Sequence, residues 1–346
     1  MFEVAIVGAP GYAGAELTRL VAGHPSLRPT VLTSASEAGK RVSDVYPALG
    51  PYIDARYVEP DVAHIAAHAQ IAFLAVPHTA AMALVPDLLS AGLTVIDASA
   101  DFRLCDPDVY EQWYGVTHSC PDLLAEAVYG LPELDRTGLP GARLVACPGC
   151  YPTATLLAAA PALVANAVDS SRVIVDAKSG VSGAGRTPSA ATHFSTVGES
   201  VAPYKVATHR HTPEIAQGLS QIAGEPVRTV FTPHVVPMSR GLLATVYLDL
   251  VAPRSAEQMV ALYREHYAGE PFVTVHDADR MPSTAEVRGS NRVHIGIAVD
   301  ADSQTLIVAC AIDNLVKGTA GQAVQCANLV LGVDETAGLD YPVPVV

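Results

Sequence analysis

Positive charge is scarce in this chain of 346 residues: Lys and Arg number 21 against 35 Asp and Glu, giving a net charge of −14. That field repels a nucleic-acid backbone or an anionic membrane surface, so neither is expected as a partner. An anionic small molecule would need a local positive pocket. Long apolar runs are also missing. The longest, "TLLAAAPALVANAV" from Thr155, is interrupted by Pro161 and Asn166, short of the ~18 residues a spanning helix needs. The opening "MFEVAIVGAPG" carries Glu3 and has no basic stretch ahead of it, so no secretory signal is expected. Six cysteines without such a signal argue against a disulfide framework and for a cytoplasmic protein.

Apolar material is ample: half of the residues are hydrophobic and 16% are charged, the profile of well-packed cores. The length suggests two domains at roughly 150 residues each. The first part alternates strand with helix: "EVAIVG", the helix "AGAELTRLVAGH", "TVLTS", the helix "VAHIAAHA", "IAFLAV", the helix "AMALVPDLLSAG", "LTVIDAS" and "ARLVACPG". This order predicts parallel strands with crossover helices. "YPTATLLAAAPALVANA" then reads as a helix with Pro152 in its first turn. Long, partly alternating strands follow ("RVIVDAKSG", "VRTVFTPHVVP", "LLATVYLDLV", "NRVHIGIAVD", "QTLIVACAID") with few helices between them. They predict a mixed, largely antiparallel sheet. The fold class is therefore α/β: a Rossmann-type parallel sheet over 1–149 and an α+β domain over 150–313. The last clear helix falls at 314–332. The boundary near 148–150 puts "CPGC" at the domain junction, a common place for ligand sites.

"GAPGYAG" follows the first strand and opens a helix, with Gly8, Gly11 and Gly14. It is one residue longer than the usual dinucleotide fingerprint, and glycine there lets backbone amides approach a pyrophosphate. The tip after the second strand, "TSASEAGKR", has Ser34, Ser36, Lys40 and Arg41 where NAD enzymes place an acid. Hydroxyls and cations suit the 2′-phosphate of NADP, with Glu37 expected to point to solvent.

"CPGCYPTAT" poses a choice among a redox pair, half a metal site and a lone reactive thiol. The remaining cysteines (105, 120, 310, 326) form no second close pair, so no zinc site, and no metal, is expected. Cys147 lies at a strand end, a usual place for a small core residue. Cys150 lies at the mouth of a helix, where partial positive charge favours the thiolate. Cys150 is thus the expected nucleophile. A thiolate beside a nicotinamide can expel an acyl leaving group and have the resulting thioester reduced to an aldehyde. "SGVSGAGR" offers Ser182 and Gly183 in a loop suited to anions. Arg103, Arg186 and Arg240 are candidate clamps for phosphate or carboxylate. His209 and His211, two apart in "HRHTPEI", would face one way in an extended segment. His24, His64, His68, His78, His118, His193, His234, His276 and His294 are read as structural.

Together "GAPGYAG", "DASADFR", "VYGLPE", "CPGCYPTA", "HRHTPEI", "TPHVVPMSRG" and "IDNLVKGTAGQAVQ" resemble the N-acetyl-γ-glutamyl-phosphate reductases of arginine biosynthesis. The match runs in order over nearly the whole chain. That family is similar in fold to aspartate-semialdehyde and glyceraldehyde-phosphate dehydrogenases. The resemblance implies NADPH-dependent reduction of N-acetylglutamyl phosphate to the semialdehyde with phosphate release. It implies His209 as the acid/base that accepts the thiol proton and later protonates the thiohemiacetal oxygen. Arg210 and His211 are implied at the substrate, Asn314 at the nicotinamide amide, and Tyr12, Ala13, Pro77 and Ser99 as further cofactor contacts. It further implies that the 314–332 helix packs on the first domain and that the enzyme is a homodimer or tetramer. This chain has Ala35 where the family often has Arg, which shifts the 2′-phosphate contact to Ser36, Lys40 or Arg41. Two rival readings stand beside it. One is a reductase of carrier-protein-linked aminoadipyl phosphate, disfavoured because the carrier is acidic like this chain. The other is a non-catalytic NADP sensor, disfavoured by the presence of both Cys150 and His209.

Overall fold

A computed structural model describes residues 1–278 and 280–343. The chain divides into one unit of Met1–Gly149 with Thr319–Tyr341 and a second built on Cys150–Gly318.

The first unit holds six strands: β1 (Phe2–Val7), β2 (Leu27–Thr33), β3 (Ile71–Leu74), β4 (Thr94–Asp97), β5 (Val128–Tyr129) and β6 (Leu144–Ala146). They pair in the order β2-β1-β3-β4-β6-β5, all parallel. β3 is buried at every position and β1 over its last four, as strands covered on both faces must be. The chain winds outward in both directions from β1 and β3, so the crevice beyond their C-terminal ends is the switch point of the sheet. Gly8 and Pro77 stand just past those ends. The segment "AMALVPDLLSAG", read as one helix, is a 3₁₀ turn (Ala81–Ala83) followed by the helix Val85–Ser90. Pro86 sits in the first turn of that helix, where its missing N–H costs nothing.

The second unit holds β7 (Arg172–Ser179), β8 (Ala202–Pro203), β9 (Arg228–Val235), β10 (Leu242–Asp249), β11 (Val273–Val275), β12 (Val293–Asp300) and β13 (Thr305–Ile312). Their order is β11-β12-β13-β10-β7-β9-β8, parallel only at β11/β12 and β7/β9. β7 and β10 alternate buried with half-buried residues, so one face is covered. The helix Cys150–Val164 lies on β10 and β13 and is flanked by His211–Ala223 and Ala256–His266. More helix stands between these strands than the strand pattern suggested. The overlooked pieces carry ordinary signals, Pro213 in the first turn with Gly224 as a left-handed C-cap, and a Ser255/Gln258 capping box.

The helix Cys150–Val164 is apolar all round and buried along almost its whole length, as a core helix must be. Pro161 interrupts the apolar run in sequence but does not break the helix. Its missing N–H orphans the Leu157 carbonyl, which accepts instead from the Tyr267 hydroxyl at 2.6 Å, while the Tyr263 hydroxyl donates to Ala158 O at 2.7 Å. The final 314–332 stretch is not one helix. A π turn at Val316–Ala320 precedes the helix Gly321–Leu331, which packs on the helix Tyr12–Ala22.

Candidate active site

The glycine loop is built for close approach. Gly8 has φ +84°, and a Cβ there would strike the Ala75 carbonyl. A Cβ at Gly14 would stand 2.7 Å from Ala9 Cα. Gly11 is the N-cap of the helix Tyr12–Ala22, with no capping side chain and no acid in the first turn. Backbone packed this tightly under a helix start without side-chain caps fits an anionic diphosphate. Tyr12 and Pro77 are exposed and Ala13 is half-buried. Ser99 is buried: its hydroxyl and amide both donate to Asp97, at 2.8 Å each. Burial pushes the Asp97 carboxyl up to about 7, although Ser99 opposes that shift.

The loop after β2 departs from its sequence reading. Glu37 does not point to solvent, since its carboxylate meets Lys40 Nζ at 2.6 Å and is only 14% exposed. Arg41 pairs with Asp54 at 3.4 Å. The Ser34 hydroxyl accepts from the amides of Ser36 (3.2 Å) and Glu37 (2.9 Å), which fixes the turn. Ser36 is exposed.

The two cysteines differ in environment. Cys147 is fully buried, and a hydrogen bond with Cys326, together with burial, holds its thiol well above the ordinary value. Cys150 is half-buried and is the first residue of its helix. Gly318 lies against it: a Cβ at 318 would stand 2.7 Å from Cys150 Cβ. The Gly318 amide donates to Asp313 O at 2.9 Å.

The segment at 209–211 is not extended. Arg210 is helical, and a helix begins at His211. The two rings still meet, with centroids 4.9 Å apart. The His211 amide donates to His209 Nδ1 at 3.1 Å, so the neutral ring carries its proton on Nε2. Tyr151, Tyr204 and Phe231 surround His209 edge-on, with centroids at 5.5, 5.4 and 5.4 Å. The Tyr204 hydroxyl donates to that of Tyr151 (3.2 Å), which donates to His234 O (3.3 Å). Burial raises Tyr204 to about 12 and Tyr151 further still, and the charge of Cys150 adds to both.

The loop after β7 adjoins the turn after β13. Asn314 is buried, donating to Ser182 Oγ at 3.0 Å and accepting from the Gly241 amide at 2.8 Å. Gly183 packs against Ser179 Oγ and Asn314. Buried Asp313, which the sequence did not single out, is the hub. It takes Arg240 by two nitrogens (Nε at 3.1 Å, Nη2 at 3.2 Å) and the amides of Gly289 (2.6 Å) and Leu315 (2.8 Å). Arg103 is buried in the first unit, and its guanidinium donates to the carbonyls of Cys147 (2.7 Å) and Ala98 (2.9 Å). Arg186 is exposed and Arg210 half-buried. Within the second unit, then, Cys150 meets the 313–318 turn, which also gathers Ser182, Gly183, Arg240 and Asn314. His209 and His211 form a separate aromatic cluster joined to Cys150 through Tyr151. Gly318, Tyr151, Tyr204, Phe231 and Asp313 left no chemical signature in sequence; only their three-dimensional neighbours mark them.

Comparisons with known proteins agree with this architecture. The family profile described as "Semialdehyde dehydrogenase, NAD binding domain" matches residues 3–141, and "Semialdehyde dehydrogenase, dimerisation domain" matches residues 150–314. Aspartate semialdehyde dehydrogenase II of Vibrio cholerae superposes with TM-score 0.74 at 19% identity, covering 96% of this chain and 98% of that one, a likeness of fold. The N-acetyl-gamma-glutamyl-phosphate reductase of Symbiobacterium thermophilum is 52% identical over 99% of both chains, and that of Halorhodospira halophila 50% identical over 98% of both. No helix among the described residues is long and apolar enough to cross a membrane. The chain belongs to the semialdehyde dehydrogenase family and, within it, to the N-acetyl-γ-glutamyl-phosphate reductases.

Proposed function

We propose that the protein reduces N-acetyl-γ-glutamyl phosphate to N-acetylglutamate semialdehyde with NADPH, through a thioester on Cys150. The observation that carries this reading is the position of Cys150, half-buried on the first turn of a core helix and seated against Gly318. That helix start favours the thiolate. Cys150 Sγ attacks the acyl carbon, the acyl–oxygen bond breaks and phosphate leaves. NADPH, when bound, supplies the hydride that the thioester carbon receives. The oxyanion then re-forms its carbonyl and expels Cys150 as thiolate, giving the aldehyde. The one proton consumed ends on phosphate.

His209 stands beside this sequence with Nδ1 occupied by the His211 amide. Its Nε2–H therefore serves first as a hydrogen-bond donor to the thiolate and the oxyanion. That is a narrower role than proton shuttling, and it suits a reaction in which the oxyanion need not be protonated. Arg240, oriented by Asp313, binds the substrate's anionic groups together with Arg210, His211 and Arg186. Arg103 acts as a positioning residue at the end of β6. Ser182, Gly183 and Asn314 hold the nicotinamide. Gly8, Gly11, Tyr12, Ala13 and Gly14 hold the diphosphate, with Pro77 and Ser99 shaping the crevice. Ser36, Arg41 and Lys40 take the 2′-phosphate, Lys40 after parting from Glu37.

Six free thiols fit a reducing, cytoplasmic setting. The uncovered face of the second sheet aligns Ile174, Tyr247 and Ile307 in register, an apolar stripe that suits a homodimer contact. A coupled assay with N-acetylglutamyl, aspartyl and carrier-linked aminoadipyl phosphates tests the function. Turnover at least about tenfold faster with the first is expected, and faster turnover with either of the others overturns it.

A further inference from the structure

We propose that His276, Glu286 and His294 form a binding site for a divalent metal ion of the zinc class that fastens the Thr284–Glu286 turn and the residues up to His294 to the sheet. The three residues come from different pieces of the second unit: His276 follows β11, Glu286 ends the 3₁₀ turn Thr284–Glu286, and His294 is the second residue of β12. Parallel pairing of β11 with β12, extended by the His276 amide donating to Ile295 O at 2.9 Å, brings them together.

The geometry is that of a ligand set. One donor atom from each residue lies within 4.8 Å of the other two. Glu286 Oε2 is 3.1 Å from His294 Nδ1 and 3.6 Å from His276 Nε2. Ligands about 2.0–2.1 Å from a tetrahedral zinc stand roughly 3.3 Å apart, so small adjustments of these side chains make room for the ion between them. The rings are inclined at 72° with centroids 5.0 Å apart, so they do not stack face to face.

A second observation points the same way. The His276 side chain is 3% exposed, and its Nε2, facing Glu286, is buried without a hydrogen-bond partner among the described residues. A buried polar atom left in this state calls for a ligand. Arg280 approaches the other carboxylate oxygen, Oε1, at 3.6 Å, while Oε2 faces both rings and also accepts, at 3.5 Å, from the Ser283 amide. Two imidazoles and a carboxylate suit zinc and its borderline neighbours better than magnesium or calcium, and three protein ligands leave a fourth position for water. The clip would have a definite purpose. The segment it closes carries Gly289, whose amide holds Asp313 Oδ2 at 2.6 Å, and Thr284, which packs against Gly241.

The test uses the full-length chain with Cys150→Ala, so that the reactive thiolate cannot contribute, after treatment with a chelator. Titration with Co²⁺ should give the visible band of tetrahedral cobalt at one ion per chain, lost on adding Zn²⁺, and Zn²⁺ should raise the thermal midpoint. His294→Ala and Glu286→Gln, at the more exposed ligands, should each weaken binding at least about 100-fold, since loss of even an outer-shell partner can cost 10–100-fold, with circular dichroism unchanged. His276→Ala should do the same, but its burial makes it the variant most prone to misfold. No stoichiometric band overturns the site. A band that survives in both exposed-ligand variants places the ion elsewhere and also overturns it. An octahedral cobalt spectrum with the same variant dependence overturns the zinc class.

Discussion

The tightest contact around the proposed nucleophile gives a graded test. Gly318 lies so near Cys150 that an added Cβ would stand 2.7 Å from Cys150 Cβ, 3.2 Å from its Cα and 3.4 Å from Asp313 O. Carbon atoms rest about 3.5–4.0 Å apart, so Gly318→Ala must open roughly 1 Å between two pieces of backbone. Neither side can relieve this by turning a flexible side chain. Overpacking of this kind costs about 1–3 kcal/mol of stability. A displacement near 1 Å at a reacting group can cost about 100-fold in rate. Gly318→Ala should therefore fold, bind NADPH much as the wild type does, and lose about 100-fold in kcat. The alkylation rate of Cys150 by iodoacetamide should change in parallel, because the thiol itself has moved. Steady-state kinetics, coenzyme titration and timed alkylation read the three effects separately. Wild-type kcat and alkylation rate in a folded Gly318→Ala protein would refute the placement of Cys150 as the reacting group.

His209→Asn should lower kcat by ~10²–10³, the loss expected for one oxyanion donor, measured at saturating substrate, and a larger loss in His211→Asn would reverse their roles. Because Glu37 occupies Lys40, Glu37→Gln should lower KM for NADPH and leave that for NADH alone. Lys40→Ala with Arg41→Ala should raise KM for NADPH by about tenfold or more, as a charge-assisted hydrogen bond of ~1.5–3 kcal/mol implies. A coenzyme ratio unchanged in both variants would exclude Lys40. Burial lifts the Asp97 carboxyl to about 7, above an unfolded value near ~3.9. Between those values the folded chain keeps a proton that the unfolded chain has lost, so this group makes stability fall as pH rises, by up to ~1.4 kcal/mol per unit. Denaturant unfolding of Asp97→Asn should lack that component between about pH 4 and 7, and a slope identical to the wild type would contradict the burial argument.

The features legible in sequence were those set by local chemistry. Strand–helix alternation gave the parallel sheet because strands covered on both faces need continuous apolar runs. The glycine pattern of 8–14 marked a turn that only backbone without Cβ can make. Cys150 stood out because Pro152 announced a helix start beside it. What escaped depends on partners distant in sequence. Asp313 is one acid among 35 Asp and Glu until Arg240 and Gly289 converge on it. Glu37 was expected in solvent because a loop sequence does not say which way its tip folds over Lys40. The helix through Pro161 persists only because Tyr267, more than a hundred residues away, replaces the lost hydrogen bond. His276 and His294, eighteen positions apart, meet only because β11 pairs with β12.

The claim that the reaction runs through a thioester on Cys150 is tested most directly by mixing the enzyme with N-acetylglutamyl phosphate and no NADPH. The account predicts release of one phosphate per active site and a covalent acyl adduct, seen by intact-protein mass spectrometry and mapped to Cys150. Buried Cys147→Ala should keep the adduct and most of the turnover, and Cys150→Ala should lose both while still binding NADPH. Phosphate release that requires NADPH, with no adduct on Cys150, would contradict the account.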